Sequence, residues 1–173
     1  MKQKKYMMSE GLAFSEEKDM KKLSDMASKG WMLDSFAVMG YKLRKAEPRN
    51  LIYSIDYHDV GEESLAEYTE MFEAVGWERV CSSQGMHIFS AVPGTSPIYS
   101  DPSTMREKYK RSEKDIRNVT CTFSFLTLLS ITLHYVNGLS NWVPLFFLIV
   151  TIPFLVTYAA TKARTLGKWG KSV

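Results

Sequence analysis

Apolar residues keep two different rhythms through the first part of the chain and then run together without interruption. Lys4–Glu10 is a strand candidate, and alternation from Leu51 to Tyr57, where Leu51, Tyr53, Ile55 and Tyr57 share a face, predicts another. Met20, Leu23 and Ala27 recur at helical spacing, as do Leu65, Tyr68, Phe72 and Val75. Ser15 stands where it can cap the first helix, with Glu16 and Glu17 in the first turn against the positive end of the helix dipole. Gly30 and Gly76 are placed as left-handed helix stops. Hairpins should follow each: Trp31–Met39 with Tyr41–Lys45 around Gly40, and Trp77–Ser82 with Met86–Val92.

The two halves match at an offset of 46 residues: LSDMASKGW (23–31) lies over TEMFEAVGW (69–77). Tyr6–Glu10 then lies over Ile52–Asp56, and Tyr41–Leu43 over His87–Phe89. The expected fold is therefore α+β: a tandem βαββ repeat, with an antiparallel sheet and two helices, over residues 1–92. Glu47-Pro48-Arg49-Asn50 forms the turn between units. Residues 93–118 read as a linker followed by a charged helix.

From Asn118 to Thr161 there is no Asp, Glu, Lys or Arg. Two spans, 119–136 and 142–161, are separated by the turn-forming NGLSN, and each approaches the roughly 20 residues that cross a hydrocarbon core. Together they predict a two-helix transmembrane hairpin followed by a basic tail, 162–173. Pro153 should bend the second helix, and Trp142 and Trp169 suit the interfaces. Thr120, Ser124, Thr127, Ser130 and His134 give the first span a polar side, which serves either helix packing or a proton path.

Charge sharpens this picture. Residues 1–100 hold twelve Lys/Arg against fifteen Asp/Glu, whereas 106–117 and 162–171 together hold ten against three. The basic excess flanks the apolar run instead of forming a face on the folded domain, so nucleic acid is not an expected partner and anionic lipid is. The same flanks place both termini in the cytoplasm and the short loop outside, in a multi-pass protein of the cell (plasma) membrane. Cys81 and Cys121 cannot form a zinc site by themselves, and His58, His87 and His134 are dispersed. No phosphate loop, nucleophile elbow or Cys-x-x-Cys occurs, so neither an enzyme nor a cofactor is expected.

Candidate binding residues come from the repeat. Trp31 and Trp77 either seal a helix–sheet junction or line a cleft between the halves. Glu10 and Asp56, matched by the offset, either receive a cationic ligand or are simply solvated. Tyr6, Tyr53 and Tyr57 would give such a cleft aromatic walls, or pack in the core. Two functions follow: a membrane-tethered regulatory module binding a small amphipathic or cationic molecule, or an adaptor or immunity-type protein engaging a membrane-protein partner or a second copy of itself.

The duplicated strand–helix–strand–strand pattern is similar in topology to the GyrI-like effector modules, which implies a ligand held between the halves. Leu23-x-x-Met26-Ala27-x-Lys29-Gly30-Trp31, Glu47-Pro48 leading to Tyr53-x-Ile55-Asp56-Tyr57, and Phe72-Glu73-x-x-Gly76-Trp77 resemble the DUF2812 family over roughly residues 4–92. That resemblance implies a bacterial, largely Firmicute, protein with membrane helices after the domain, and it implies no particular activity. Ser54 departs from the pattern, in which an Arg commonly stands there.

Overall fold

The computed structural model describes residues 3–99, 102–138 and 140–166. The chain divides into two units, Met1–Lys108 and Tyr109–Val173. In the first, β1 (Lys4–Met8), α1 (Leu12–Ser28), β2 (Trp31–Ala37) and β3 (Gly40–Lys45) precede β4 (Ile52–Tyr57), a 3-10 turn (Glu62–Ser64), α2 (Leu65–Glu73), β5 (Glu78–Ser83) and β6 (Met86–Ala91). The strands form two antiparallel three-stranded sheets, ordered β1-β3-β2 and β4-β6-β5, so the unit is α+β. Register shifts at corresponding places, between Leu33 and Ser35 in β2 and between Arg79 and Cys81 in β5.

One core draws on both sheets. Met20, Leu23 and Ala27 of α1 meet Leu33, Tyr41 and Leu43 of the first sheet and Tyr53, Ile55 and Ile88 of the second. Burying each large apolar side chain contributes on the order of 1.5–3 kcal/mol. A second cluster holds Tyr68 and Phe72 of α2 with Trp77, Phe89 and Ala91, and the Phe72 and Phe89 rings stack at 4.2 Å. Because side chains alternate along a strand, β6 sends Ile88 to the first cluster and Phe89 and Ala91 to the second.

Several boundaries differ from expectation. Helix α1 begins at Leu12, and Ser15 marks a break in it (φ −138°, ψ 35°) without forming a side-chain cap. Strand β1 stops at Met8, leaving Glu10 in the following turn. Val75 lies beyond α2 and is exposed, because the helix ends at Glu73. Gly30 and Gly76 do take the left-handed conformation at the helix ends, with φ of 79° and 89°.

The charged helix and first apolar segment are one helix, α3 (Pro102–Asn137), and the second is α4 (Trp142–Thr165). No Pro or Gly stands between Arg106 and Asn137, so the helix has no point at which to stop. Both helices are long and apolar enough to cross a membrane. In the second unit the threonine hydroxyls of the two helices meet: Thr127 Oγ1 lies 2.7 Å from Thr151 Oγ1, and Thr120 Oγ1 donates to the Phe154 carbonyl at 3.3 Å. The Phe123 and Phe154 rings stack at 4.9 Å. Phe125, Leu128, Phe146, Ile149 and Ile152 stay exposed on the outer surface. Near the charged end Lys162 pairs with Glu113 at 2.7 Å. Trp142 is exposed, while Trp169, Lys168, Lys171 and the tail beyond 166 lie outside the described residues.

Candidate functional site

Helix α1, strand β4 and the segment after β6 line an open cavity of about 470 Å³. Its wall is mostly apolar: Met20, Ile52, Tyr53, Trp77, Pro97, Ile98 and Tyr99. Glu16, Glu17, Lys21 and Lys108 give it one charged side, and Ser24 and Ser54 add hydroxyls. That composition, apolar walls with a few placed polar groups, is the usual one for a small-molecule site. Residues 93–99, expected to be a plain linker, are folded onto the domain instead. Trp77 Nε1 donates to the Ser96 carbonyl at 2.9 Å, and Ile98 packs on the Tyr68–Phe72 cluster. An isoleucine and a tyrosine in a presumed spacer, at 98 and 99, were the available signal.

Two buried carboxylates stand beside this cavity. Asp56 is 1% exposed and accepts hydrogen bonds from the Tyr68 hydroxyl at 2.7 Å, from the Tyr57 backbone N–H at 2.7 Å, and from the Tyr99 hydroxyl. Glu16 pairs with the buried Lys108 ammonium and accepts from the Tyr57 hydroxyl at 3.2 Å. Lys108 also lies 5.6 Å from the Tyr57 ring centroid and 5.2 Å from that of Tyr99. Glu16 and Lys108 are far apart in sequence, so no local pattern announces the pair.

Only Tyr53 and Trp77, of the seven predicted residues, line the cavity. Burial pushes the Tyr53 hydroxyl up from the usual tyrosine range. Tyr57 and Asp56 do not line the cavity but bond to residues that do, Glu16 and Tyr99. Glu10 does not correspond to Asp56: it is exposed in the β1–α1 turn and pairs with Lys22 at 2.5 Å. The hydrogen bond from Lys22 holds the Glu10 carboxyl below its ordinary range. Tyr6 is half exposed on β1, donating to the Val38 carbonyl at 2.9 Å. Trp31 sits between Lys5 and Lys45, whose ammonium groups lie 5.5 and 4.9 Å from its ring centroid, whereas Trp77 is 3% exposed. The two tryptophans therefore have different environments, although each follows a left-handed Gly.

Another acid, Asp19, has a structural setting: fully buried, it accepts from Ser9, from the Glu10 backbone N–H at 2.9 Å and from the Tyr41 hydroxyl at 3.0 Å. Burial, reinforced by this carboxylate, raises the Tyr41 hydroxyl far above its ordinary range. A second cleft, of about 530 Å³, has mixed charge in its wall, including Asp34, Arg44, Arg49, Glu78 and Arg79. Across β5 and β6, Ser82 Oγ lies 2.7 Å from His87 Nδ1, and His87 Nε2 lies 2.8 Å from the His58 carbonyl oxygen. The carbonyl can only accept, so Nε2 carries a proton toward it. This cross-strand pair was not visible as a pair in the sequence. Among the described residues, no group of three or more His, Cys, Asp or Glu is arranged to hold a metal.

The model of the family described as Protein of unknown function (DUF2812) matches residues 15–123. The chain belongs to the DUF2812 family. The matched region begins after β1 and runs through the cavity and the closing segment into α3, farther than the motif resemblance alone reached. Neither the curated proteins nor the solved structures contain a match. Ser54, the departure from the DUF2812 pattern, lies in the cavity wall.

Proposed function

We propose that this DUF2812 protein is a membrane-tethered regulatory module that binds a small amphipathic molecule in the cavity between α1, β4 and residues 95–99. The observation that carries the reading is the cavity itself: about 470 Å³, apolar along most of its wall, with the Glu16–Lys108 pair at one side. An apolar ligand body would displace water from Met20, Ile52, Ile98 and Trp77, while a polar end would face Glu17, Lys21 and the ion pair. Because acids and bases balance there, an amphipathic ligand is favoured over a purely cationic one.

The tether is the hairpin of α3 and α4. Exposed Phe125, Leu128, Phe146 and Ile149 suit a lipid environment, and ten basic residues against three acids in the flanking segments favour cytoplasmic termini by the positive-inside rule. We read the two sheets as copies of one βαββ module, supported by their matching strand order and by the bulges at Leu33–Ser35 and Arg79–Cys81. The adaptor reading draws less support, since Thr120, Thr127 and Thr151 spend their hydroxyls within the hairpin.

Filling the cavity tests the proposal. Full-length protein and its Ser54→Phe variant should be purified from native membrane and their co-purifying small molecules compared by mass spectrometry. An amphipathic species enriched with the parent protein and lost from the variant supports the site. Identical profiles, with the variant folded by circular dichroism, would refute it.

A further inference from the structure

One face of the first sheet is exposed along β1, while toward β2 its Arg44 lines the second cleft. The pairs Lys4 with Arg44, Tyr6 with Lys42 and Met8 with Gly40 stand opposite each other across β1 and β3, and on such a face their side chains point the same way. Lys4, Tyr6, Met8, Lys42 and Arg44 are all exposed. At the end of this face the β2–β3 turn carries Val38 and Met39, 88% and 78% exposed. Met39 holds φ of 56°, a conformation that a turn ordinarily assigns to Gly or Asn. The turn is held in place: Ser9 N–H donates to the Met39 carbonyl at 3.0 Å, and Tyr6 Oη donates to that of Val38 at 2.9 Å.

The second hairpin turns on Gln84 and Gly85, and Gln84 too takes a positive φ, of 49°. What sets the first hairpin apart is the chemistry of its tip, where two large apolar residues stand in water. Neither contributes to the core. Exposed apolar side chains rimmed by cations point to an external contact.

We propose that this face docks on an anionic bilayer surface, with Val38 and Met39 entering the headgroup region and Lys4, Lys42 and Arg44 meeting lipid phosphates. Charge decides the occupant. Arg44 lies 3.8 Å from Asp34 and shares the second cleft with Glu47 and Glu78, so the positive excess on the exposed part of the face rests on Lys4 and Lys42, although residues 1–100 as a whole are acidic. Cations set around exposed apolar side chains are complementary to anionic headgroups over acyl chains. The inference rests on the membrane part of the proposed function and is independent of ligand binding.

The test uses the full chain in lipid nanodiscs, with Cys121→Ala and Cys81→Ser, and a fluorophore on Met39→Cys or, as a control, on Glu63→Cys. Quenching by brominated phosphatidylglycerol should be strong at position 39 and weak at 63. It should fall when zwitterionic lipid replaces the anionic lipid. Lys4→Gln, Lys42→Gln and Arg44→Gln together should lower the ratio of docked to free domain by on the order of a hundredfold. Retention of the chain in the disc reports the spans separately, so their failure is not confused with failure of the face. Equal quenching at 39 and 63, or quenching at 39 that ignores lipid charge, would overturn the proposal; the latter would assign the tip to a protein partner.

Discussion

Replacing Lys108 by methionine would keep most of its volume and remove its charge from a place only 2% exposed. The Glu16 carboxylate, 7% exposed, would then remain buried without the ammonium. Removing one member of a buried ion pair typically costs about 3–5 kcal/mol, because the surviving charge keeps its desolvation penalty. Loss of the ammonium from the faces of Tyr57 and Tyr99 adds up to about 2 kcal/mol for a desolvated cation. Glu16→Gln should be milder, since the amide oxygen still accepts from Tyr57. Combining Lys108→Met with the same Glu16→Gln removes both charges and should recover much of the loss, because no unpaired charge is then left buried. Denaturant unfolding of the reconstituted full chain, followed by tryptophan emission, gives the three differences. The expected result is strong coupling, with the double variant well above the sum of the singles. Additive losses would mean that the two charges do not act as a pair, and would remove the polar anchor from the proposed cavity.

Gly30→Ala should destabilise more than Gly76→Ala in the same unfolding assay. Both face about 1–2 kcal/mol for a left-handed alanine, but a Cβ at 30 would stand 2.7 Å from the Ala46 carbonyl oxygen, against 3.4 Å from a Thr95 methyl at 76. Thr127→Val with Thr151→Val should show a coupling of about 0.6 kcal/mol in a double-mutant cycle run in bilayer. The Cys81 thiol, pushed up to about 12 by burial, should resist alkylation near neutral pH until the domain unfolds. Its folded value lies above the unfolded one, so the folded state holds the proton more tightly between about pH 9 and 12. Stability should therefore decline as pH rises through that window, and Cys81→Ala should flatten that part of the curve.

The helices, the hairpins and the two glycine stops were legible because periodicity and turn chemistry are local. What misled was the assumption that one offset serves residues 1–92 throughout. Lys42 and Ile88 are 46 residues apart and occupy corresponding central strands, yet their partners Tyr6 and Ile55 are 49 apart. Three residues fewer separate β4 from Gly76 than separate β1 from Gly30, where α1 is the longer helix. A gapless alignment therefore slid the first strands against each other and set Glu10 over Asp56. By register the counterpart of Asp56 is Met7, opposite Tyr41 as Asp56 is opposite His87. Once the acids are no longer equivalents, a symmetric acidic cleft has no basis. The polar groups that do converge, Asp56, Tyr99, Glu16 and Lys108, come from β4, the closing segment and two helices. Two of these lie beyond residue 92. The cavity follows from how the chain continues after β6, and a reading built on residues 1–92 had no means of finding it.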